Sequence, residues 1–277
     1  MQTILVPTDF SVTARNAALY AIQLAEDLGI PKVILYHAYQ LPVSVDPMLP
    51  TMQLMDINEI KKIAEEGVDN FLKQVKASIA TEVVLEAVNE FNVLDTGIEQ
   101  VCENYNARFV VMGITGGGKV EEVLVGSNTT AIARKSKVPV IIIPAECKYT
   151  PLEEIVLACD FKKVAETTPV QAIKALLDET KAKLFILNVT EGGRGITPEV
   201  SQESLMIETL FQQYQPSYHF LEGDDFTEVI NEFSSKHEID LIITIPKKHG
   251  MFEKLFRRSH TKMLAFHSHV PLMVVHE

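Results

Sequence analysis

Tryptophan is absent from the 277 residues, and cysteine occurs three times, at Cys102, Cys147 and Cys159. An odd number of cysteines with no paired spacing makes no disulfide framework, which suits a reducing compartment. Cationic residues are also in short supply, with 25 Lys plus Arg against 37 Asp plus Glu and a formal charge of −12. That balance opposes non-specific attraction to nucleic acid or an anionic membrane, and neither is expected as a partner. A local basic strip, Lys247, Lys248, Lys254, Arg257 and Arg258, reads as a solvated loop and helix face. No apolar run approaches bilayer-spanning length, and strand-like residues from Thr3 onward leave no sign of a signal peptide. A soluble, cytoplasmic protein is the expectation.

What is present is enough apolar content for a full core, 47% of residues, in a length that suits one large domain or two ordinary ones. Residues 2–7 form a short apolar strand, and Ser11 or Asp9 can cap the helix that follows. Ala14, Ala18, Ala21, Ala25 and Leu28 recur at helical steps, small enough to let that helix lie close on a sheet, and Gly29 stops it. A second strand is expected at 32–38. The stretch 40–57, rich in Pro and Met, reads as a loop, where Met48, Met52 and Met55 suit adaptable packing. Ile60, Ile63, Ala64, Val68, Phe71, Leu72 and Val75 mark the next helix, followed by a strand at 82–88 and a helix at 94–105. A strand at 109–113, a helix from Ser127 to about residue 137 and a strand at 140–143 complete five alternating units. Such alternation argues for a parallel sheet with helices on both faces.

The second half repeats the first. Residues 155–161 follow residues 4–10 at an offset of 151 (155 − 4 = 151), and residues 183–189 follow 32–38 at the same offset. Val270-Pro271 follows Val138-Pro139 at 132 (270 − 138 = 132), so the first copy is longer by 151 − 132 = 19 residues, most naturally in the 40–57 loop. Two domains, 1–147 and 151–277, are the expected organisation.

Chemistry concentrates in residues 109–144. A short apolar strand ends in Gly113; two residues separate it from Gly116, nine more lead to Gly126, and Ser127 opens a helix. A glycine at a strand end lets a ribose or base lie on bare backbone, and a second lets the loop turn its N–H groups inward. Gly126 and Ser127 supply free amides, a hydroxyl and a helix N-terminus for anionic oxygens. The run GITGGGK also fits the front of a P-loop, but Val120 follows Lys119 where Ser or Thr should hold magnesium. Residues 192–195, Gly-Gly-Arg-Gly, follow a second strand and lead to Pro198, so they read as a turn before a helix. Seven of the eight histidines follow residue 200, yet no helix-spaced pair with an acidic partner appears, and His267 and His269 read as caps of carbonyls. No metal site and no nucleophile, base and orienter triad is expected.

Gly113, Gly116, Gly126 and Ser127 match in full the spacing carried by nucleotide-binding members of the universal stress protein family, and with the repeat counted the resemblance covers nearly the whole chain. The resemblance implies an α/β fold of two tandem Rossmann-like domains of the adenine nucleotide alpha hydrolase-like kind, each a five-stranded parallel sheet between helices. It implies an adenine nucleotide, ATP or AMP, with or without Mg²⁺. The cofactor-binding residues it points to are Pro7, Thr8, Asp9, Ala38, Met112, Gly113, Thr115, Gly116, Gly126, Ser127, Asn128 and Thr129. Asp9 and the Ala38 backbone fall at the adenosine end; Asp9 read as a helix cap alone is the alternative. Thr115 stands where many relatives have a basic or bulkier polar residue, which leaves phosphate charge less compensated unless Lys119 reaches it. Ile245, Lys248, Arg258 and Ser259 occupy the motif positions of the second copy, so no nucleotide is expected there. The signatures HxGH and SGGxDS of related adenylating enzymes are absent. A stress-response regulator is the leading expectation; a slow ATPase and a nucleotide-independent interaction module are the alternatives. Last-strand edges at 140–143 and 272–275 are expected as contacts, within one chain as a pseudo-dimer or between two copies as a homodimer.

Overall fold

The computed structural model describes residues 2–40, 57–114, 127–190, 198–246 and 270–276. By its contacts the chain divides into two units, residues 1–112 and 113–277. The first unit runs through β1 (Thr3–Pro7), α1 (Val12–Asp27), β2 (Lys32–Tyr39), α2 (Ile57–Ser78), β3 (Val84–Phe91), α3 (Leu94–Tyr105) and most of β4 (Ala107–Ile114). Its strands lie in the order β3-β2-β1-β4, and all the pairings are parallel. β1 is buried along its whole length, as a central strand covered on both faces must be.

The helix stripes account for the packing. Ala14, Ala17, Ala18, Ala21 and Ala25 of α1 are buried, and the helix stops at Leu28 with Gly29 at φ 63°. In α2 the buried line is Ala64, Val68, Phe71 and Val75, at steps of four, three and four. Ile63, expected on that face, is 55% exposed because it lies one residue, about 100° of helix, away from Ala64. β3 runs to Phe91, three residues past the expected end; its register with β2, up to Tyr39 against Phe91, carries an edge strand that its own half-buried pattern would not mark.

Below α3 lies a polar network. Tyr36 is fully buried and donates through its hydroxyl to Glu90 Oε2 at 3.3 Å; burial first, and then Glu90, push its phenol pKa upward. Lys32 Nζ donates to Glu86 Oε2 at 2.7 Å and Tyr105 to Glu86 Oε1 at 3.0 Å.

The second unit takes up the end of β4 and continues through α4 (Ser127–Ala133), β5 (Val140–Pro144), β6 (Glu154–Ala158), α5 (Val164–Thr167), α6 (Val170–Thr180), β7 (Lys183–Thr190), α7 (Pro198–Phe211), β8 (Ser217–Glu222), α8 (Phe226–Lys236), β9 (Leu241–Thr244) and β10 (Leu272–Val274). The strands follow the order β5-β10-β9-β6-β7-β8. From β10 to β8 every pairing is parallel, so the second copy is a five-stranded parallel sheet in the 3-2-1-4-5 order of doubly wound nucleotide folds. β5 pairs antiparallel with β10, Ile142 against Leu272 and Val140 against Val274. The two last-strand edges expected to make contacts are therefore partners within one chain. That pairing also explains why the contacts group β5 with the second unit although it closes the first sequence copy.

Two helices differ from their expected form. α4 ends at Ala133, not near residue 137, because Ser136 Oγ accepts from Val138 N–H and donates to Val138 O, turning the chain before Pro139. In the second copy the counterpart of α1 is split into α5 and α6 around Pro169, which stands 151 positions after Ala18 and cannot continue a helix. Asp240 fastens the start of this copy: its carboxylate accepts from Thr150 Oγ1 at 3.0 Å and from the Glu153 and Glu154 amides at 2.9 Å each.

Two predictions follow from the first unit. A Cβ on Gly97 would sit 1.8 Å from Tyr36 Oη, and a buried tyrosine held by Glu90 cannot swing aside. Gly97→Ala should therefore destabilise the protein by about 1–3 kcal/mol in thermal or denaturant unfolding, although alanine favours the helix. The Lys32 hydrogen bond, ahead of the opposing effect of burial, holds the Glu86 carboxyl below its ordinary value of 4.5. A carboxylate lowered on folding contributes above its ordinary value and loses that contribution as pH falls through the lowered one. Glu86→Gln should flatten the loss of melting temperature below pH 4.5 relative to the parent protein.

Candidate functional site

The carboxyl ends of β1, β2 and β4 carry the site residues that the sequence singles out, and β1 stops first. Its register with β2 ends at Pro7 opposite Tyr36, while β2 continues through His37, Ala38 and Tyr39. The Thr8 N–H still donates to Tyr36 O at 2.8 Å, so the Tyr36 carbonyl faces β1. Backbone polar groups alternate sides along a strand, and Ala38, two residues on, therefore turns its N–H and C=O toward the same lane, where β1 has ended. Tyr39 O faces the other way and accepts from Asn92 N at 3.2 Å. Ala38 is half-buried, and its backbone faces the lane that β1 no longer fills.

The chain leaves β1 through a tight corner. Thr8 is buried, and its Oγ1 accepts from Phe10 N at 2.9 Å. Asp9 is exposed, and its Oδ1 accepts from Ser11 N at 3.0 Å. Ser11 caps α1 by accepting from Ala14 N at 3.1 Å, so the capping role belongs to Ser11 and the Asp9 carboxylate turns the loop. Phe10 adopts φ 66°, uncommon for a bulky side chain. Its ring packs on His37 at 4.4 Å and on Phe71 at 5.9 Å. The room for it is made by Gly67, where a Cβ would lie 2.7 Å from the ring.

On β4, Met112 is buried and Gly113 half-buried. Buried Thr129 of α4 donates its hydroxyl to Gly113 O at 3.1 Å, binding the strand end that opens the glycine loop to the helix that closes it. Asn128 is exposed beside it. Thr115, Gly116, Lys119 and Gly126 lie outside the described residues, and Ser127 is the first residue of α4. Also outside them are residues 41–56 with the loop methionines, the turn at 192–195, the basic strip, and His267 and His269.

The second copy keeps the corner and changes the strand end. At the 151 offset, Cys159 N donates to Leu187 O at 2.9 Å, Phe161 N to Cys159 Sγ at 3.4 Å and Lys162 N to Asp160 Oδ1 at 3.2 Å, and Phe161 repeats the positive φ at 48°. Where β4 has Gly113, β9 is followed by Ile245, a buried side chain 132 positions later. Lys248, Arg258 and Ser259 lie outside the described residues.

The three cysteines form no disulfide and are buried; burial raises the Cys102 thiol to about 12 and the Cys147 thiol to about 11, far from a thiolate nucleophile at neutral pH. Among the described residues no group of three His, Cys, Asp or Glu stands close enough to hold a metal ion, and no helix is long and apolar enough to cross a membrane.

Residues 1–144 match the family model described as the universal stress protein family. The chain belongs to that family. Two curated universal stress proteins of Methanocaldococcus jannaschii are similar to half of it: MJ0577 is 27% identical over 154 residues, 50% of this chain and 93% of its own, and MJ0531 is 28% identical over 142 residues, 50% and 80% respectively. A crystal structure of a universal stress protein from Archaeoglobus fulgidus superposes with a TM-score of 0.69 at 20% identity, covering 99% of this chain and 97% of that one. That match extends the family's Rossmann-like α/β fold over both sequence copies.

Two residues that sequence spacing passed over are His37 and Phe10. The acceptor of His37 lies 29 positions earlier in the chain, beyond any local pattern. The signal available was the repeated Asp-Phe at 9–10 and 160–161. Thr129→Val removes the donor to Gly113 O while keeping the shape; the unpaired carbonyl should cost about 1–3 kcal/mol in unfolding experiments, with Thr129→Ser near the parent value.

Proposed function

We propose that this universal stress protein is a nucleotide-responsive regulator that binds one adenine nucleotide, ATP or AMP, through its first domain, residues 1–147, and none through its second, residues 151–277. The observation that supports it most is the early end of β1, which leaves the Ala38 backbone and the Asp9 carboxylate bordering a lane with no strand in it. A base can hydrogen-bond to a free strand edge, and a ribose hydroxyl can donate to the Asp9 carboxylate. The triphosphate or monophosphate is assigned to Gly113, Thr115, Gly116, Gly126, Ser127, Asn128 and Thr129, whose spacing in the sequence suits anionic oxygens. Pro7, Thr8 and Met112 border the nucleoside. Because α4 has seven residues, phosphate binding rests on loop amides and hydroxyls more than on a long helix dipole. Mg²⁺ would accompany ATP on its phosphates. In the second domain Ile245 puts a side chain where Gly113 offers bare backbone.

The test is to denature freshly purified protein, separate the released nucleotide by chromatography and quantify it per chain. The expected outcome is close to one adenine nucleotide per chain, absent from Gly126→Asp. Two per chain would refute the assignment to one domain. None, with no binding of added ATP and Mg²⁺, would refute nucleotide binding and leave an interaction module; phosphate release that depends on Gly126 would make the protein an ATPase.

A further inference from the structure

The last rung between β1 and β2 is the Thr8 N–H donating to Tyr36 O at 2.8 Å. In an unbroken parallel ladder the next rung would be the Ala38 N–H donating to Thr8 O. His37 Nδ1 takes that carbonyl instead, at 2.8 Å. A carbonyl only accepts, so Nδ1 carries the proton.

We infer that His37 is a positioning residue of the nucleotide site: its imidazole diverts the Thr8 carbonyl from the ladder, which leaves the Ala38 backbone for the ligand and fixes the direction of the Asp9 amide. The inference rests on the nucleotide-binding reading above. Three observations carry it. The chain has no cis peptide among its described residues, and across a planar trans peptide the N–H points opposite to the C=O. With Thr8 O held by His37, the Asp9 N–H is therefore fixed pointing away from β2. The imidazole itself is held, since the Phe10 ring lies against it at 4.4 Å. Finally, the second copy makes the same bond with different chemistry: Asn188, 151 positions after His37, donates through Nδ2 to Cys159 O at 2.8 Å. An imidazole and a carboxamide have an N–H donor in common and little else, so the donor is what the corner requires.

Two substitutions separate the donor from the ring. His37→Asn keeps the donor in the form that the second copy uses; His37→Phe keeps a ring for Phe10 and loses the donor. Each full-length chain, stripped of nucleotide, is titrated with ATP and with AMP, and amide hydrogen exchange is followed over residues 8–11. The Asn variant should bind within about threefold of the parent and the Phe variant at least about tenfold more weakly, with faster exchange in the Phe variant alone. If the Phe variant does not fold, His37→Ala takes its place with the same expectation. Parent-like binding by the donor-less variant, whatever its exchange, would show a corner that only supports the fold and would overturn the inference. So would equal weakening in both variants, which would show that a side-chain donor at this position does not by itself preserve binding. A parent chain that binds neither nucleotide refutes the functional reading, and the positioning role with it; that failure is read from the parent titration, before any variant is compared.

Discussion

A parallel ladder that stops leaves a carbonyl and an amide without their rung, and in this protein the way that deficit is met shapes the carboxyl end of the sheet. β1 ends at Pro7 while β2 runs on to Tyr39. The stranded carbonyl of Thr8 is satisfied by a side chain, His37, and not by the neighbouring strand. An unpaired buried carbonyl would cost about 1–3 kcal/mol, so the chain cannot leave this corner unpartnered. Meeting the requirement from a side chain keeps the adjacent strand edge open. The left-handed Phe10, its pocket at Gly67 and the Asp9 turn are consequences of bending the chain away at that point.

The two copies separate what the fold demands from what the site demands. Four features of the corner recur at the same offset: the amide of residue 8 or 159 on the neighbouring strand, the Asp turn, the positive φ and the side-chain donor on the stranded carbonyl. They recur although the residues themselves change from Thr to Cys and from His to Asn. What does not recur is glycine at the end of the fourth strand, where Ile245 stands buried. The corner is therefore shared architecture, and the glycine end is the part in which the copies differ.

The antiparallel pairing of β5 with β10 gives the second unit a different character from the first. Both strands are buried and strongly apolar, Val-Ile-Ile-Ile and Leu-Met-Val. An exposed edge of that composition would be a template for association. Here each covers the other, and the last strand of the first copy is drawn into the contacts of the second unit, so that division by contact and division by sequence repeat fall at different residues.

Much of this was legible along the chain. Period and punctuation located nearly every described element, because a strand between glycines and a helix with an alanine stripe are local properties. The offset of 151 aligned the corners of the two copies, and the glycine spacing marked the end of the fourth strand. Misreadings arose where the deciding force is not local. β3 runs longer than its own pattern because β2 pairs with it; α4 is short because Ser136 binds Val138 before a proline; Ile63 faces outward because the core lies on the side of Ala64. Only the tertiary structure decided that the two last strands pair with each other and that His37 holds the Thr8 carbonyl. A hydrogen bond between residues 29 positions apart has no period to betray it, and the chain must fold before the two atoms meet.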